Sequence, residues 1–349
     1  MKKIILLIII LFGLSGYSQC WENISAGDDH ILAVKSDGTL WAWGANNYSK
    51  CAPSFENSTN IPTQANSENN WLMPSAGRYH SMVTKNNNKV YGWGINWKGE
   101  IGIGTSGLQY NVVDNYVQVG NNIWLSVVAG NDFTIAIKTD GTLWNWGDNI
   151  TVPTQVGLEN NWQKIAIGNR NYAIKSDGTL WTWKPSAPSQ IGNSTDWKEI
   201  TGGYAIKENG TLWDVSSVPS QIGSETNWKS VSKNYYGNHQ LALKNDGTLW
   251  AWGSNTYGQL GDGTTTGKIN PIQIGSSTNW SFIAAGGAFS LALNDDGELW
   301  TWGANFFGQL GDGSFNPKSI PTLINCAALN VPDTRTRNAF NIYPNPSQK

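Results

Sequence analysis

The sequence predicts an all-β protein, specifically a seven-bladed β-propeller of four-stranded antiparallel blades. The first observation is a motif, typified by Asp246-Gly247-Thr248-Leu249-Trp250-Ala251-Trp252-Gly253, that occurs seven times. The copies start at Asp37, Asn87, Asp140, Asp177, Asn209, Asp246 and Asp296. The second is a Trp that precedes each copy, and the third is a composition with 39 Gly, 20 Trp and only 14% charged residues. Seven units of this size, rich in turns and aromatic residues, are typical of propeller blades.

Each unit contains signals for four strands in a fixed order. The heading Trp residues are Trp21, Trp71, Trp124, Trp162, Trp197, Trp228 and Trp280, and a Gly or, once, Asn234 follows six positions later. The alternating segment His239–Lys244 predicts a second strand. The Asp-Gly pair then predicts a type I′ hairpin turn with positive φ at both central residues, and Asn88 replaces the glycine in the second unit.

The third strand carries apolar residues on both faces, since Trp250 and Trp252 alternate with Leu249 and Ala251. Both faces should therefore be covered by other parts of the protein. The longer units continue with a loop, such as 255–264, and end with a fourth strand such as Pro271–Gly275.

Blades three to five are predicted to be trimmed. Their third-strand tryptophans, Trp144, Trp181 and Trp213, are 37 and 32 residues apart, against 50 between Trp250 and Trp300. All three blades lack the Gly-Gln-Leu-Gly loop, so one side of the ring should be thinner. Either a docking surface or simple erosion explains this, and we favour erosion.

The N-terminus predicts a secretory signal peptide over residues 1–18. Met1-Lys2-Lys3 precedes an apolar run, Ile4–Leu14, that is too short to span a membrane, and Ser18 lies at the expected cleavage point. Gln19, rather than a small residue, precedes Cys20, which disfavours lipid attachment.

Export permits disulfides, and Cys20 and Cys326 flank the repeats. If the repeats close into a ring over residues 19–326, these two cysteines become neighbours, and we predict a disulfide between them; two separate thiols are the alternative. Cys51 aligns with Leu260 and is predicted to replace a buried apolar residue.

Residues 327–338 form a polar linker, and the last residues, 339–349, include Tyr343-Pro344-Asn345-Pro346 after Ile342. This segment resembles the opening of the type A C-terminal sorting domain of the type IX secretion system of Bacteroidetes-like bacteria. The resemblance implies export to the cell surface or the medium. The further strands of that domain do not follow Lys349, so we expect only a truncated sorting domain here.

The whole unit, Trp-x-x-Ile-Ala-Ala-Gly, then Leu-Ala-Leu-Lys-x-Asp-Gly-Thr-Leu-Trp-Ala-Trp-Gly and Gly-Gln-Leu-Gly-Asp-Gly-Thr, resembles the regulator of chromosome condensation repeat family over residues 21–325. That family forms seven-bladed propellers, which agrees with the blade count. Its founder is a nuclear guanine-nucleotide exchange factor that binds chromatin. This chain is expected to be exported and lacks a basic tail, so we carry over the fold and not the exchange activity.

No residues point to catalysis, to a metal or to a cofactor. His30, His80 and His239 occupy equivalent positions on different blades, where they stand apart around the ring rather than converge on a metal. The repeated Asp residues are explained by turn chemistry, and no carboxylate pair, nucleophile elbow or phosphate-binding loop is recognisable. A net charge of −2 argues against nucleic-acid binding.

We therefore predict a secreted or surface-displayed monomeric scaffold without catalytic activity and without a membrane span, which binds an unknown protein or glycan through its rim loops. The candidate binding residues in those loops are Trp97, Tyr257, Asp262, Phe307 and Asp312. One alternative is a secreted enzyme inhibitor, because the chain also resembles a propeller-type β-lactamase inhibitor. Another is an extracellular carbohydrate-active enzyme, with tryptophans that stack on sugars.

Overall fold

Seven antiparallel sheets of four strands each form the computed structural model, which describes residues 21–107, 111–184 and 187–324. In every sheet the strands pair in the order in which the chain visits them. The helical structure in this part of the chain is one 3₁₀ turn, Asn47–Ser49. The prediction of a seven-bladed propeller of four-stranded blades is confirmed.

Blades one, two, six and seven have full-length strands. Blade one consists of β1 (Trp21–Ala26), β2 (His30–Lys35), β3 (Leu40–Gly44) and β4 (Thr59–Gln64). Blade two consists of β5 (Trp71–Ala76), β6 (His80–Lys85), β7 (Val90–Ile95) and β8 (Val112–Gln118). Blade six consists of β21 (Trp228–Ser232), β22 (His239–Lys244), β23 (Leu249–Gly253) and β24 (Lys268–Gln273). Blade seven consists of β25 (Trp280–Ala285), β26 (Phe289–Asn294), β27 (Leu299–Gly303) and β28 (Lys318–Ile324).

The strands of blade three are as long as those of blade one, whereas blades four and five include the shorter strands. Blade three consists of β9 (Trp124–Ala129), β10 (Phe133–Lys138), β11 (Leu143–Gly147) and β12 (Ile150–Gln155). Blade four consists of β13 (Trp162–Ile167), β14 (Asn171–Lys175), β15 (Leu180–Trp183) and β16 (Ser189–Gln190). Blade five consists of β17 (Trp197–Thr201), β18 (Tyr204–Lys207), β19 (Leu212–Asp214) and β20 (Ser220–Gln221).

The hydrophobic core lies between blades rather than within them. Each of the seven buried clusters draws its residues from two adjacent blades, so the two faces of every sheet are covered as the third-strand pattern predicts. The cluster that joins blade seven to blade one contains Trp21 and Ile324, which stand near opposite ends of the repeats. Gly287 N also donates to Gly27 O across this junction, at 3.2 Å, and so closes the ring.

The Asp-Gly hairpin turn differs from the predicted type I′ turn. Gly38 has φ +81°, whereas Asp37 stays outside the positive-φ region, and Gly38 N donates to Lys35 O. This is the geometry of a turn with one left-handed residue and a bulge. Asp37 contributes through its carboxylate, which accepts bonds from Thr39 N (2.9 Å) and Thr39 Oγ1 (2.6 Å). Asn88 has φ +60°, which confirms that it replaces the glycine.

The Thr and the first Trp of the motif complete this turn. Trp41 Nε1 donates to Thr39 Oγ1 at 2.9 Å, and the same chain of Trp, Thr and Asp or Asn recurs in blades three, four, five and six. A Lys at the end of the second strand lies over these rings: Lys35 Nζ is 3.4 Å from the ring centroid of Trp41. The most prominent sequence motif is therefore structural.

Candidate functional site

The direction of the strands gives the propeller two different faces. The first and third strands end on one face, so the loops after them, such as 27–29 and 45–58, project there. The Asp-Gly turns and the segments before each heading Trp project from the other. We call these the long-loop face and the hairpin face.

All five predicted binding residues lie on the long-loop face. They belong to the long loops that follow the third strands of blades six, seven and two, and blade one carries a fourth such loop. The described parts of these loops in blades six, seven, two and one are residues 254–267, 304–317, 96–107 and 45–58. These four blades are consecutive around the closed ring. In blade three the same connection is only the two residues 148–149, so the long loops form one arc and blades three to five form a low sector.

A buried Asn holds each long loop in shape. In blade six, Asn255 Oδ1 accepts a bond from Leu260 N (2.9 Å), while Asn255 Nδ2 donates to Thr264 O (3.0 Å) and Asp262 Oδ1 (3.0 Å). The equivalent residues in the other loops are Asn305, Asn46 and Asn96, and each makes the corresponding bonds to its own loop. The loops are therefore preorganised by their own side chains.

The two predicted carboxylates belong to this internal network. Asp262 Oδ1 also accepts bonds from Thr264 N and Oγ1, and Asp262 Oδ2 lies 3.5 Å from Lys268 Nζ. Burial raises the pKa of Asp262, but the bonds from Thr264 and Asn255 outweigh it and lower the pKa overall. Asp312 has the same arrangement with Ser314, Asn305 and Lys318. Both carboxylates thus already have partners within their loops.

The long loops also form hydrogen bonds with the following blade. Gln259 O accepts a bond from Trp302 Nε1 at 2.8 Å, and a Cβ placed on Gly261 would lie 2.8 Å from that indole nitrogen. Gly263 N donates to Ser319 O of the neighbouring outer strand at 2.9 Å. The spacing within the Gly-Gln-Leu-Gly loop therefore serves contact between blades.

The three histidines take part in the same junctions. Each is fully buried at the start of a second strand, and its Nε2 bonds to a hydroxyl of the next blade: His30 to Ser81 (3.0 Å), His80 to Thr134 (2.9 Å) and His239 to Ser290 (2.8 Å). Each hydroxyl donates to a long-loop carbonyl, at Lys50, Glu100 and Gln259 respectively. Among the described residues, no three His, Cys, Asp or Glu side chains lie close enough together to hold a metal.

Aromatic side chains pair from blade to blade along the arc. Tyr257 of blade six and Phe306 of blade seven meet edge to face, with their ring centroids 5.3 Å apart. Tyr48 of blade one and Trp97 of blade two repeat this contact at 5.8 Å. Between the two pairs, Phe307 takes the position of Tyr257 in blade seven. The position in blade one that would supply its partner holds a polar residue, Asn47. We call Tyr48, Trp97, Tyr257, Phe306 and Phe307 the aromatic rim.

The aromatic rim is exposed most strongly on blades six and seven. The exposed fractions of Phe306, Phe307 and Tyr257 are 54%, 48% and 40%. Phe307 N and Tyr257 N donate to the buried amides of Gln309 and Gln259, so the backbone beneath these rings is fixed. The sequence predictions include Trp97, Tyr257 and Phe307 but not Tyr48 and Phe306. These two could have been found because Tyr48 aligns with Tyr257 and Phe306 aligns with Trp97 in the repeat.

Blade two places a carboxyl where blades six and seven place these amides. Glu100 is 1% exposed, and its carboxylate accepts a bond from Lys98 N at 2.8 Å. Burial raises the pKa of Glu100 to about 7. Hydrogen bonds from the backbone of Glu100 and Lys98 lower the pKa, but burial has the larger effect. Lys98 Nζ in turn lies 2.6 Å from Asp132 of blade three.

The central channel is closed at the long-loop face by a loop of blade six, which the sequence signals only through Asn234 in place of glycine. Arg78 of blade two stacks on the ring of Tyr236, with the guanidinium carbon 4.2 Å from the centroid. Tyr235 packs against the cluster that joins blades three and four. The remaining cavity has a volume of about 90 Å³, below the range typical of small-molecule pockets.

Several sequence predictions concern the two ends of the chain and the cysteines. The predicted signal peptide, Cys20, Cys326, the linker and the sorting motif lie outside the described residues. Cys51 is buried in the core between blades one and two, and burial raises the pKa of its thiol. In the described ranges, no helix has the length and apolar character needed to cross a membrane.

Comparison with known proteins places these repeats in a recognised class. Two profiles of the regulator of chromosome condensation (RCC1) repeat match the chain, one at residues 37–84, 246–293 and 296–331 and the other at 21–49, 124–150 and 280–309. The ultraviolet-B receptor UVR8 of Arabidopsis thaliana is 24% identical over 256 residues, which cover 72% of this chain and 46% of UVR8. The human X-linked retinitis pigmentosa GTPase regulator is 28% identical over 40% of this chain and 14% of its own length. The chain thus spans less than half of either relative.

Solved structures support the same architecture. A structure of yeast RCC1 (Prp20) with bound Kap60 superimposes with a TM-score of 0.71 at 16% identity, covering 94% of this chain and 89% of the other. Human WBSCR16 gives a TM-score of 0.54 at 20% identity, covering 88% and 82% of the two chains. At these identities the likeness concerns the fold alone. Together with the seven observed blades, the matches show that this chain is a seven-bladed propeller built from RCC1 repeats.

Proposed function

We propose that this propeller is a non-catalytic scaffold that binds a partner protein through its aromatic rim. The observation that carries the proposal is the set of exposed rings of Tyr257, Phe306 and Phe307 on loops whose polar groups are bonded internally. Exposed aromatic side chains on rigid loops are typical centres of protein interfaces. Burial of their apolar surface in a complex stabilises that complex by about 25 cal/mol per Å².

A protein partner fits these loops better than a glycan. Sugar recognition needs polar groups that are free to bond with hydroxyls, as well as rings to stack on. The carboxylates of Asp262 and Asp312 and the amides of Asn255 and Asn305 are instead engaged within their own loops. A partner that covers the rim gains mainly by burying apolar surface, which suits a protein.

The names of related proteins agree with a regulatory scaffold. They include a receptor, a GTPase regulator and an RCC1 structure with a bound protein. We extend only the general role of protein binding to this chain, since nucleotide exchange has no support in its residues.

We further propose that the protein works outside the cytoplasm. The basic start, short apolar run and small residues of 1–18 support export, as does the tail that resembles a sorting motif. N-terminal sequencing of protein recovered from the medium or the cell surface tests this: a mature start at Gln19 or Cys20 is expected. Retention of Met1 in all of the protein would contradict export.

The binding proposal is tested with two matched double variants. F306A/F307A removes two rings of the rim, whereas L125A/L158A removes two exposed leucines of blade three, near the hairpin face. A partner is identified by affinity capture from the medium and then purified for titration. We expect F306A/F307A to weaken its binding about thirtyfold or more, at about 1–2 kcal/mol for each ring, and the control to leave it unchanged.

Two results would contradict the proposal. One is equal affinity of the partner for the wild type and F306A/F307A, with both variants shown to be folded by thermal unfolding. The other is binding to a glycan array that depends on the same two rings, because the rim would then recognise a sugar.

A further inference from the structure

Basic side chains on the long-loop face divide into two groups by their partners. Along the arc of long loops and its neighbouring strands, every Lys or Arg in the described ranges has an Asp beside it. The pairs are Lys50 with Asp29, Arg78 with Asp28, Lys98 with Asp132, Lys268 with Asp262 and Lys318 with Asp312. The positive charge of the arc is therefore neutralised within the protein.

Three cations, two in the low sector and one at its border with blade six, form no such pair in the described ranges. Arg170 lies in the loop after the first strand of blade four, Lys184 follows the third strand of that blade, and Lys233 lies in the channel-closing loop of blade six. Within 21–107, 111–184 and 187–324 none of the three forms an ion pair, and Arg170 and Lys184 are exposed. We call these three residues the cationic sector.

Tyrosine rings form the floor of the cationic sector. Lys184 Nζ is 5.8 Å from the ring centroid of Tyr235, and Lys233 Nζ is 5.4 Å from that of Tyr204. The nearby acidic residue Asp214 uses Oδ1 to accept bonds from Ser216 N (2.9 Å) and Oγ (2.6 Å). Asp214 also attracts Lys233, although burial outweighs this attraction and lowers the pKa of Lys233. The rings keep the lysine side chains against the protein.

The trimmed connections make this sector accessible. The connection after the third strand is 148–149 in blade three and 215–219 in blade five. Blades six, seven, one and two have long loops at the same place. An extended segment of a partner that lies across the low sector meets the three cations and is bordered by the arc. The absence of long loops thus has a consequence for binding, beyond simple erosion.

We propose that the cationic sector docks an acidic, Asp- and Glu-rich segment of a partner protein. Charge complementarity supports this occupant: Arg170 and Lys184 flank the paired residues Asn171 and Trp183, and so are adjacent cations without an ion pair in the described structure, on a protein whose net charge is −2. A nucleic acid fits less well, because its affinity rests on neutralising many phosphates along an extended basic surface. The cationic sector shares no residue with the aromatic rim, so either proposal can fail without the other.

The test uses a fluorescent synthetic peptide of about ten Asp and Glu residues at about 50 mM salt, where screening is weak. The test variant is R170E/K184E. The control is K198E/K229E, which makes the same change of charge at two exposed lysines of the hairpin face that also lack ion pairs in the described structure. R170Q/K184Q removes the same charges without reversing them.

We expect R170E/K184E to weaken peptide binding about tenfold, R170Q/K184Q to have an intermediate effect and K198E/K229E to stay within about twofold of the wild type. Binding to the wild type should also weaken as salt is raised. Failure of the wild type to bind the peptide, or an equal loss in both charge-reversal variants, would overturn the proposal. Tighter binding of a single-stranded DNA of equal charge, lost in R170E/K184E, would assign the sector to nucleic acid instead.

Discussion

The Nε2 atom of His239 lies 2.8 Å from Ser290 Oγ in the next blade, and this contact organises the junction between blades six and seven. Ser290 Oγ donates to Gln259 O at 2.7 Å, so its lone pair accepts the Nε2 proton of a neutral imidazole. The junction of blades seven and one has Phe289 and Ile31 at these two positions and is apolar. The same interface is therefore built in a polar and an apolar version within one protein.

Replacement of Ser290 by Ala should destabilise the propeller by about 1–3 kcal/mol. The variant leaves the buried Nε2–H group of His239 and the carbonyl of Gln259 without their shared hydroxyl. Urea unfolding monitored by tryptophan fluorescence measures the change in the free energy of unfolding.

The double variant H239F/S290I copies the pair found between blades seven and one and serves as the matched control. It should recover part of the stability lost in S290A, because both polar groups leave together. If S290A is as stable as the wild type, the hydroxyl does not connect the two blades as described.

Mild acid should destabilise the protein through its buried histidines. Burial lowers the pKa of His80 and His239 to about 4, and the pKa of His30 is also well below its usual 6.5. Between pH 6.5 and 4 the histidines of the unfolded chain bind protons, whereas those of the native state do not. Stability therefore falls as pH falls. Each histidine contributes about 1.4 kcal/mol per pH unit.

The comparison of the wild type with H239F/S290I isolates one of these three contributions. The variant should lose less stability between pH 6.5 and 4.5, by an amount that urea titrations at several pH values resolve. Parallel pH profiles of the two proteins would show that His239 becomes protonated without cost in the native state.

Replacement of Glu100 by Gln should stabilise the protein at neutral pH. Burial raises the pKa of Glu100 from 4.5 to about 7, so the native state binds a proton that the unfolded chain has released between these values. Stability therefore falls as pH rises from 4.5 to 7, by about 3 kcal/mol at most, and then levels off. Gln is the residue that blades six and seven have at this position.

Thermal unfolding of E100Q and wild type at pH 4.5, 6 and 8 measures this difference. The gain in stability should be absent at the lowest pH and full at the highest. A gain of the same size at every pH would mean that packing, rather than ionisation, separates the two side chains.

Asn255 should control the integrity of the blade-six loop. N255A removes the acceptor for Leu260 N and the donor to Thr264 O and Asp262 Oδ1, which exposes the loop to local opening. Limited proteolysis should cut between residues 254 and 267 in N255A and leave the same loop intact in T256A, whose side chain makes none of these three bonds. Equal resistance of both variants would contradict the role of Asn255.

The disulfide between Cys20 and Cys326 stays a prediction. Its support in the described structure is that Trp21 and Ile324, which lie one and two residues from Cys20 and Cys326 in sequence, belong to the same buried cluster. Peptide mapping under non-reducing conditions should find the two cysteines linked, with Cys51 free. Two alkylatable thiols at positions 20 and 326 would refute it.

The repeats made the fold predictable, whereas the roles of single side chains depended on contacts between blades. Trp252 and Leu249 alternate within one strand, so their burial follows from the local pattern. The engagement of Asp262 by Asn255 requires the loop to fold back on itself, and the sequence alone favoured a binding role for that carboxylate.

Distant contacts explain what the sequence analysis missed. Tyr236 reaches Arg78 across the channel, a contact that forms only when the ring closes. Phe306 meets Tyr257 when blades six and seven pack against each other. The turn type was mistaken for a related reason: the Asp37 carboxylate bonds to Thr39, so only the glycine needs a positive φ.

The most direct test of the account is site-specific photocrosslinking in the producing cells and their medium. A photoreactive phenylalanine analogue replaces Phe307 on the aromatic rim or, as the control, Leu158 on the hairpin face, which is 95% exposed. Binding through the aromatic rim predicts a discrete protein adduct from position 307 that disappears when Phe306 is also changed to Ala, and no adduct from position 158. Equal adducts from both positions, or an adduct from position 158 alone, would contradict binding through the aromatic rim.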